Sequence, residues 1–266
     1  MIPVNQGQKT HITESLKKGI RLDGRKKDEF RPITIEVGVS STAEGSAVVT
    51  CGDTKVIAGV KMDVAKPYPD SQEDGVMMFG SELLPLSNPM FEAGPPPIAS
   101  IEVARVIDRG IREGKTMDTK KLCIRPGELV WNVMVDVLPI NYDGNLIDIG
   151  GMAALAALYN AKMPEIKDDK VVPGTKTSQG IPLSAMPIPV TIVKIGDSLI
   201  VDPSQSEYDN LDARLTVAVL EDGTLCAMQK GGDASLTTKD LNEMLDLAVK
   251  KSQELRAKVK EALKLK

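Results

Sequence analysis

The apolar positions in the first quarter of the chain recur either at helical spacing or on every second residue. The spacing of Ile12 and Leu16 predicts a helix over about residues 9–18 that stops at Gly19. After a charged connector, alternation predicts three strands, which lie around residues 33–37, 46–50 and 55–62. The turn residues Gly52-Asp53 are expected to join the last two strands as a hairpin.

Residues 63–98 interrupt this regular pattern. They have no apolar period and are rich in Pro and Gly, which predicts a long loop, and such loops in compact domains are usually functional or disordered. Helical spacing resumes with a helix that we expect to begin at the N-cap Ser100 and to end near Glu113. A strand over 130–138 and an alanine-rich helix over 152–162 complete this part of the chain.

The last hundred residues repeat the order of hairpins followed by a helix. A break over residues 163–189 contains five prolines and predicts a domain boundary. Four strands follow, around residues 190–195, 199–201, 215–220 and 225–230. The final helix is expected to begin near Thr238, after the capping signal Thr237-x-x-Asp240. Antiparallel hairpins followed by helices in both halves predict an α+β fold rather than a doubly wound parallel sheet.

The composition narrows the classes of function that the chain can have. Its 33 Lys and Arg residues against 37 Asp and Glu give a net charge of −4, which excludes a protein that holds nucleic acid by global charge. One His and three scattered Cys residues predict no metal or cofactor and indicate buried thiols in a reducing cytosol. Without an apolar run of 18 residues or a signal pattern at the start, we expect a soluble, cytoplasmic protein that does not contact membranes.

The most informative local feature is a stripe of arginines on the helix that follows the long loop. Arg105, Arg109 and Arg112 lie within about 60° of one another around the helix axis, so three guanidiniums could follow a phosphate backbone. The alternative is a solvated face on which Glu102 and Asp108 pair with these arginines. The spacing alone leaves both interpretations open.

Three other segments could carry chemistry, and each has an ordinary structural interpretation. The loop 143–151 could lead into an anion-binding helix N-terminus, although Leu146 and Ile147 in its middle supply neither a hydroxyl nor a charge. Lys230-Gly231-Gly232 could be a phosphate loop or a simple turn. The carboxylates between Asp202 and Asp212 could bind a metal, but we expect them to be solvated. With one Trp, four Tyr and three Phe, the chain has little material for stacking bases, so any nucleic-acid contact should be to the backbone.

Taken together, these segments resemble the RNase PH superfamily of phosphate-dependent exoribonucleases, and within it the non-catalytic RNase PH-type subunits of the archaeal exosome. The resemblance covers nearly the whole chain and is carried by segments 21–25, 82–96, 101–112, 130–133, 143–148, 212–217 and 226–232. It implies two α+β lobes of antiparallel or mixed sheets covered by helices, of the ribosomal protein S5 domain 2-like type. The predicted division is 1–31 as N-terminal helix and arm, 32–165 as first lobe, 166–187 as linker and 188–266 as C-terminal lobe.

The chain departs from active members of this superfamily at the residues that do the chemistry. In those members the loop reads Asp-Gly-Gly-Thr/Ser-Arg and holds the attacking phosphate, whereas here the corresponding residues are Leu146 and Ile147. Active members also carry an Asp where this chain has Arg214, although Asp212 lies two residues earlier. An apolar side chain offers no donor to phosphate, and an arginine does not act as an acid near neutral pH. We therefore expect no catalytic residue in this chain.

The resemblance also implies an assembly and a substrate. A catalytic RNase PH-type subunit would alternate with this one in a six-membered ring of three heterodimers, capped by RNA-binding subunits. Single-stranded RNA would lie at the shared interface, where Arg105, Arg109 and Arg112 would contact its backbone. Two alternatives remain, namely a phosphorolytic exoribonuclease active in its own right through Asp212, and an assembly scaffold whose arginines only form salt bridges.

Overall fold

The structure is a computed structural model in which residues 6–265 are described. Residues 1–5, which begin the predicted arm, and residue 266 lie outside the described residues. Helix α1 (Gln6–Lys17) buries Ile12 and Leu16, as their spacing predicts. Gly19 follows in the left-handed region, with a φ of 79°, which is common just past a helix end. Among the described residues, no helix combines the length and the apolar character needed to cross a bilayer.

The first sheet is mixed and comes from the first half of the chain. Its strands are β1 (Ile33–Val37), β2 (Gly45–Cys51), β3 (Thr54–Ala65), β4 (Val76–Ser81), β5 (Cys123–Arg125) and β6 (Leu129–Asn141). The strand order is β1-β2-β3-β6-β4, and β5 pairs with β6. All pairings are antiparallel except that of β4 with β6. The predicted hairpin is confirmed, since Cys51 pairs with Thr54 across Gly52-Asp53.

The second sheet is antiparallel and comes from the second half of the chain. Its strands are β9 (Ile188–Ile195), β10 (Ser198–Val201), β11 (Ala213–Val219) and β12 (Leu225–Gly231), in the order β10-β9-β11-β12. Between the two sheets in sequence lies a small hairpin of β7 (Ile166–Lys167) and β8 (Lys170–Val171), and the short helix α4 (Gln205–Tyr208) follows β10. The last helix, α5 (Thr238–Leu263), begins with the predicted capping box of Thr237 and Asp240.

Helix α3 (Leu146–Asn160) lies between the two sheets. Every residue from Leu146 to Leu158 is buried, and the helix packs against β2 and β3 on one side and β9 on the other. Gly45 permits this packing, because a Cβ there would lie 2.2 Å from the carbonyl oxygen of Ala157. The two sheets therefore share one hydrophobic core, and the predicted α+β class is confirmed.

Three local predictions were wrong. The expected loop 63–98 contains strand β4, which the sequence hides because its residues do not alternate. Helix α2 (Ile98–Glu113) begins after Pro97, so Ser100 is a buried helical residue whose hydroxyl donates to the carbonyl of Ser81 rather than an N-cap. Helix α3 begins six residues before the expected Met152, so Leu146 and Ile147 belong to its first turn and not to a loop.

Candidate functional site

Helix α2 presents the predicted arginines on the face opposite the core. Val103, Ile107 and Ile111 are buried, while Arg105 and Arg109 are exposed. Arg105 has no ion-pair or hydrogen-bond partner among the described residues. The Arg109 side chain is 65% exposed and contacts Glu113 one turn away at 3.2 Å. A surface ion pair of this kind contributes little to stability, so both guanidiniums remain available to a ligand.

Arg105 and Arg109 line an open groove between helix α2 and strand β12. The groove has a volume of about 800 Å³, and Cys226, Met228 and Gln229 of β12 form its other wall. Arg112 does not line the groove. It donates to Asp108 at 2.7 Å and to the carbonyl oxygen of Met77 at 3.1 Å, on the side of α2 that faces β4. The structure thus brings two of the three predicted arginines together in one groove and separates the third.

Glu102 does not form the helical pair with Arg105 that the solvated-face interpretation requires. Its carboxylate accepts instead from Nη2 of Arg214 on strand β11, which is 112 residues away in the chain. The predicted pair of Arg105 with Asp108 is likewise absent among the described residues, since Asp108 pairs with Arg112. Of the pairs that the solvated-face interpretation predicts, the described residues therefore show only that of Asp108 with Arg112.

The three positions at which the resemblance predicts a departure from active enzymes line one small cavity. Leu146 and Ile147, in the first turn of α3, lie beside Arg214 in a space of only about 80 Å³. The other walls include the apolar side chains of Leu83 and Phe91. Leu146 and Ile147 are both buried, so their branched side chains cover the helix N-terminus that could otherwise have attracted an anion.

Arg214 is fixed on several sides within the protein. Its side chain is 4% exposed, it pairs with Glu102, and its guanidinium carbon lies 5.7 Å from the centre of the Tyr208 ring. Gly231 on the neighbouring strand β12 leaves space for it, because a Cβ there would lie 2.3 Å from Nε of Arg214. Its Nη1 atom has no hydrogen-bond partner among residues 6–265. An arginine held in this way supplies a fixed positive charge and hydrogen-bond donors but no acceptor.

Asp212, the alternative catalytic carboxylate, lies outside this cavity. One of its oxygens accepts from Lys9 Nζ at 2.6 Å, and the other accepts from the backbone N–H of Gly196 at 2.6 Å. Partial burial raises the pKa of this carboxyl, but these hydrogen bonds and the lysine charge outweigh burial and lower the pKa. Asp212 therefore stays ionised as a structural anchor between α1 and the second sheet.

The acidic segment 202–212 is neither solvated throughout nor suited to a metal. Asp202 and Glu207 are buried, which contradicts the expectation that they are solvated. Arg31 donates to both oxygens of Asp202, at 2.9 and 2.8 Å, and Arg21 donates to Glu207 at 2.9 Å. No group of metal-binding side chains is found among residues 6–265. The resemblance segment 21–25 thus supplies arginines that anchor the N-terminal arm to this acidic loop.

Asp148 is another buried carboxylate and directly follows Ile147 in the first turn of α3. It accepts from the backbone N–H of Thr191 at 2.9 Å and from the Thr191 hydroxyl at 2.7 Å. Burial is the main cause that raises the pKa of this carboxyl to about 7, and the nearby negative charge of Asp202 adds to it. The Thr191 hydroxyl in turn lies 2.8 Å from that of Thr216, which reaches the α2–β12 groove.

The remaining sequence candidates have structural explanations. The Lys230 ammonium donates to the carbonyl oxygen of Gly232 at 2.6 Å, and Gly231 packs on Arg214. Of the three free cysteines, only Cys51 is buried, so the expectation of buried thiols was wrong for Cys123 and Cys226. The sequence did not predict the role of Glu102, because its partner Arg214 is distant in the chain. It also did not predict that arginines anchor the arm, although segment 21–25 is one of those that carry the resemblance.

Comparisons with known proteins agree with this geometry. Two signatures of the RNase PH 3' exoribonuclease family match the chain, domain 1 over residues 29–164 and domain 2 over residues 185–251. The exosome complex component Rrp42 of Methanothermobacter thermautotrophicus is 44% identical over 246 residues, which cover 92% of this chain and 91% of that protein. The Rrp42 component of Thermoplasma acidophilum is 44% identical over 94% of each chain.

Solved structures show the same likeness. A chain of the Archaeoglobus fulgidus exosome, solved with RNA bound to the active site, superposes with a TM-score of 0.87 at 41% identity, and the match covers 94% of this chain and 97% of that one. A chain of an archaeal exosome core gives a TM-score of 0.85 at 39% identity, over 95% and 96% of the two chains. Rice Rrp46, at 18% identity and a TM-score of 0.69, shares the fold.

Proposed function

The chain belongs to the RNase PH family of 3' exoribonucleases, and on this premise we propose that it is a non-catalytic ring subunit of an archaeal exosome. In this role it alternates with a catalytic RNase PH-type subunit in a hexamer of three heterodimers, shapes the partner's phosphorolytic site and contributes arginines to RNA binding. RNA-binding cap subunits cover one face of the ring. The complex acts in the cytoplasm on single-stranded RNA from its 3' end.

The observation that carries the non-catalytic part is the small cavity around Leu146, Ile147 and Arg214. Inorganic phosphate needs several hydrogen-bond donors to replace its hydration shell, and the two apolar side chains offer none. A space of about 80 Å³ is also small for that ion together with an RNA end. Arg214, paired with Glu102, cannot protonate a leaving oxygen, because an arginine keeps its proton near neutral pH.

The geometry also argues against the alternative of an enzyme active in its own right. Asp212 would have to act as the acid or metal support, but it is paired with Lys9 and held by Gly196 at a site that does not open into the cavity. A carboxylate with a lowered pKa is a poor general acid at neutral pH.

The groove between α2 and β12 supports the RNA and partner contacts. Arg105 and Arg109 offer two planar guanidiniums on one wall, which suit the oxygens of consecutive phosphates. Beside them, the apolar side chains of Ile98, Ile101 and Met228 are 86%, 48% and 57% exposed. Exposed apolar side chains next to a polar groove are typical of a surface that a protein partner covers. Arg112 remains a weaker RNA-binding candidate, because it lies outside the groove.

The test is co-purification with the catalytic RNase PH-type homologue, followed by mass measurement and a phosphorolysis assay on labelled RNA. We expect a 1:1 hexamer that releases nucleoside diphosphates in the presence of inorganic phosphate, and no release from this chain alone. The catalytic homologue alone and a phosphate-free buffer serve as controls. Release of nucleoside diphosphates by the purified chain alone would favour the autonomous enzyme instead.

A further inference from the structure

We propose that Arg214 is a positioning residue for RNA binding, which acts by holding Glu102 away from Arg105. This inference rests on the proposed RNA contact of Arg105. The position that holds a carboxylate in active relatives would then have acquired a different task in this chain. In this role Arg214 keeps the guanidinium of Arg105 free of an internal counter-ion.

The argument begins with the spacing of charges on α2. Glu102 and Arg105 are three residues apart on one helix, which places their side chains side by side and favours an ion pair. Both residues line the α2–β12 groove. Nevertheless, Glu102 pairs with Arg214 across the fold, and Arg105 has no partner in the described part of the chain. The structure has thus replaced a local pair by a long-range one.

The environment of Arg214 explains why it competes successfully for the carboxylate. Its side chain is 4% exposed, so its charge is screened by water much less than that of the exposed Arg105. Gly231 leaves room for the guanidinium, and the Tyr208 ring lies 5.7 Å from its central carbon on another side. Arg214 also needs this partner, because a buried guanidinium without a counter-ion would be costly.

The consequence concerns the charge that RNA meets in the groove. The Glu102 side chain is 37% exposed, so it is free to turn towards Arg105 if Arg214 is removed. A carboxylate paired with Arg105 would compete with the RNA phosphate for the same donors. The bound RNA would then release about one counter-ion fewer, which lowers both the affinity and its dependence on salt.

The test measures RNA affinity of the assembled complex in phosphate-free buffer, with a labelled oligoadenylate as the probe and salt as the variable. For Arg214→Met we expect roughly three- to ten-fold weaker binding and a log–log salt slope shallower by about 0.7, the effect of losing one phosphate contact to a single strand. The double variant Arg214→Met/Glu102→Gln should recover the affinity to within about two-fold, because the competing carboxylate is gone. Absence of recovery would mean that Arg214 has only a structural role and would overturn the inference.

A second comparison leaves Arg214 intact, in case its variants do not assemble. In the wild-type background, Glu102→Gln should change RNA affinity by less than about two-fold, because Glu102 does not neutralise Arg105 in the native protein. If this substitution strengthens binding several-fold, and the gain vanishes in an Arg105→Ala background, Glu102 already pairs with Arg105 and the inference is wrong.

Arg105→Ala also separates the two proposals. If Arg105→Ala leaves RNA affinity unchanged, the proposed RNA contact fails and the inference fails with it. If Arg105→Ala weakens binding while the Glu102 and Arg214 variants do not behave as described, only the positioning role is refuted.

Discussion

Arg31 and Asp202 form a bidentate ion pair that joins the N-terminal arm to the loop after β10. Nε and Nη2 of Arg31 donate to the two carboxylate oxygens at 2.9 and 2.8 Å, and the Arg31 backbone N–H donates to one of them at 2.8 Å. Arg25 adds a contact at 2.7 Å and Asn145 one at 2.9 Å. Burial alone would raise the pKa of Asp202, but these partners outweigh burial and lower the pKa, so the carboxylate stays charged in the interior.

Removing this buried charge should be strongly destabilising. Asp202→Asn removes the fully buried counter-ion of Arg31 and Arg25 and leaves Arg31 only the part-exposed Asp143, and breaking a buried pair from one side costs about 3–5 kcal/mol. Asp197→Asn, at an exposed turn of the same hairpin, is the matched control and should lie within about 0.5 kcal/mol of wild type. Urea unfolding of the three proteins at pH 7 measures both effects. Equal midpoints for the Asp202 and Asp197 variants would contradict the prediction.

Asp148 should make stability depend on pH in the opposite sense to an ion-paired carboxylate. Because the pKa of Asp148 is raised to about 7 in the folded protein, from its ordinary value of 3.8, the folded state binds more protons than the unfolded state between these values. Its contribution therefore favours folding at low pH and declines as pH rises towards 7, by at most about 1.4 kcal/mol per pH unit.

Asp148→Asn isolates this contribution, because the amide keeps an acceptor for the Thr191 N–H and supplies a donor to the Thr191 hydroxyl. The variant should be more stable than wild type at pH 8, and the difference should shrink as pH falls from 7 to 4. The measurement is urea unfolding across this range, with Asp197→Asn as control. A difference between variant and wild type that does not vary with pH would show that Asp148 is not protonated on folding.

The groove arginines should affect RNA more than stability. Arg105→Ala and Arg109→Ala should each weaken RNA binding by the assembled complex and make its salt dependence shallower, by about 0.7 in log–log slope per lost phosphate contact. Arg125→Ala is the matched control, since Arg125 is also exposed but pairs with Asp169 and Glu128 away from the groove. Melting temperatures of all three should stay near wild type. If Arg125→Ala loses as much RNA affinity as Arg105→Ala and Arg109→Ala, the loss comes from the change in net charge and not from a contact in the groove.

Gly231 should be intolerant of even one methyl group. A Cβ at Gly231 would lie 2.3 Å from Nε of Arg214, so Gly231→Ala must displace the guanidinium and weaken its pair with Glu102. Overpacking of this kind costs about 1–3 kcal/mol. Gly59→Ala is the control within a strand, because a Cβ there meets no atom within 4 Å. The measurement is the free energy of unfolding of the two variants. A Gly231→Ala protein that is as stable as the Gly59→Ala control would contradict the packing argument.

The sequence predicted those elements whose signals are local. Alternation at Ile33, Ile35 and Val37, the hairpin turns and the capping box at Thr237 all depend on neighbouring residues, and each was confirmed. Strand β4 was missed because its partner β6 lies some fifty residues later, so its stability comes from a parallel pairing that no local pattern records. The start of α3 was missed because Gly150 and Gly151 weaken the local helix signal, while burial between two sheets stabilises the helix.

The candidate site shows the same division between local and distant information. The arginine stripe and the apolar residues at 146 and 147 can be read from the sequence, because helical spacing and side-chain chemistry are local properties. The separation of Arg112 from the groove and the diversion of Glu102 to Arg214 depend on which strands lie beside α2. Asp202 looked solvated because acidic loops usually are, and only the fold brings Arg31 to it.

Helix α3 lies in the interior that the two halves of the chain share. The helix packs against β2 and β3 of the first sheet and β9 of the second, so we expect a protein cut in the hairpin of β7 and β8 to keep both fragments together through their common hydrophobic core. Two stretches that follow one another in the linear sequence thus contribute to one continuous interior.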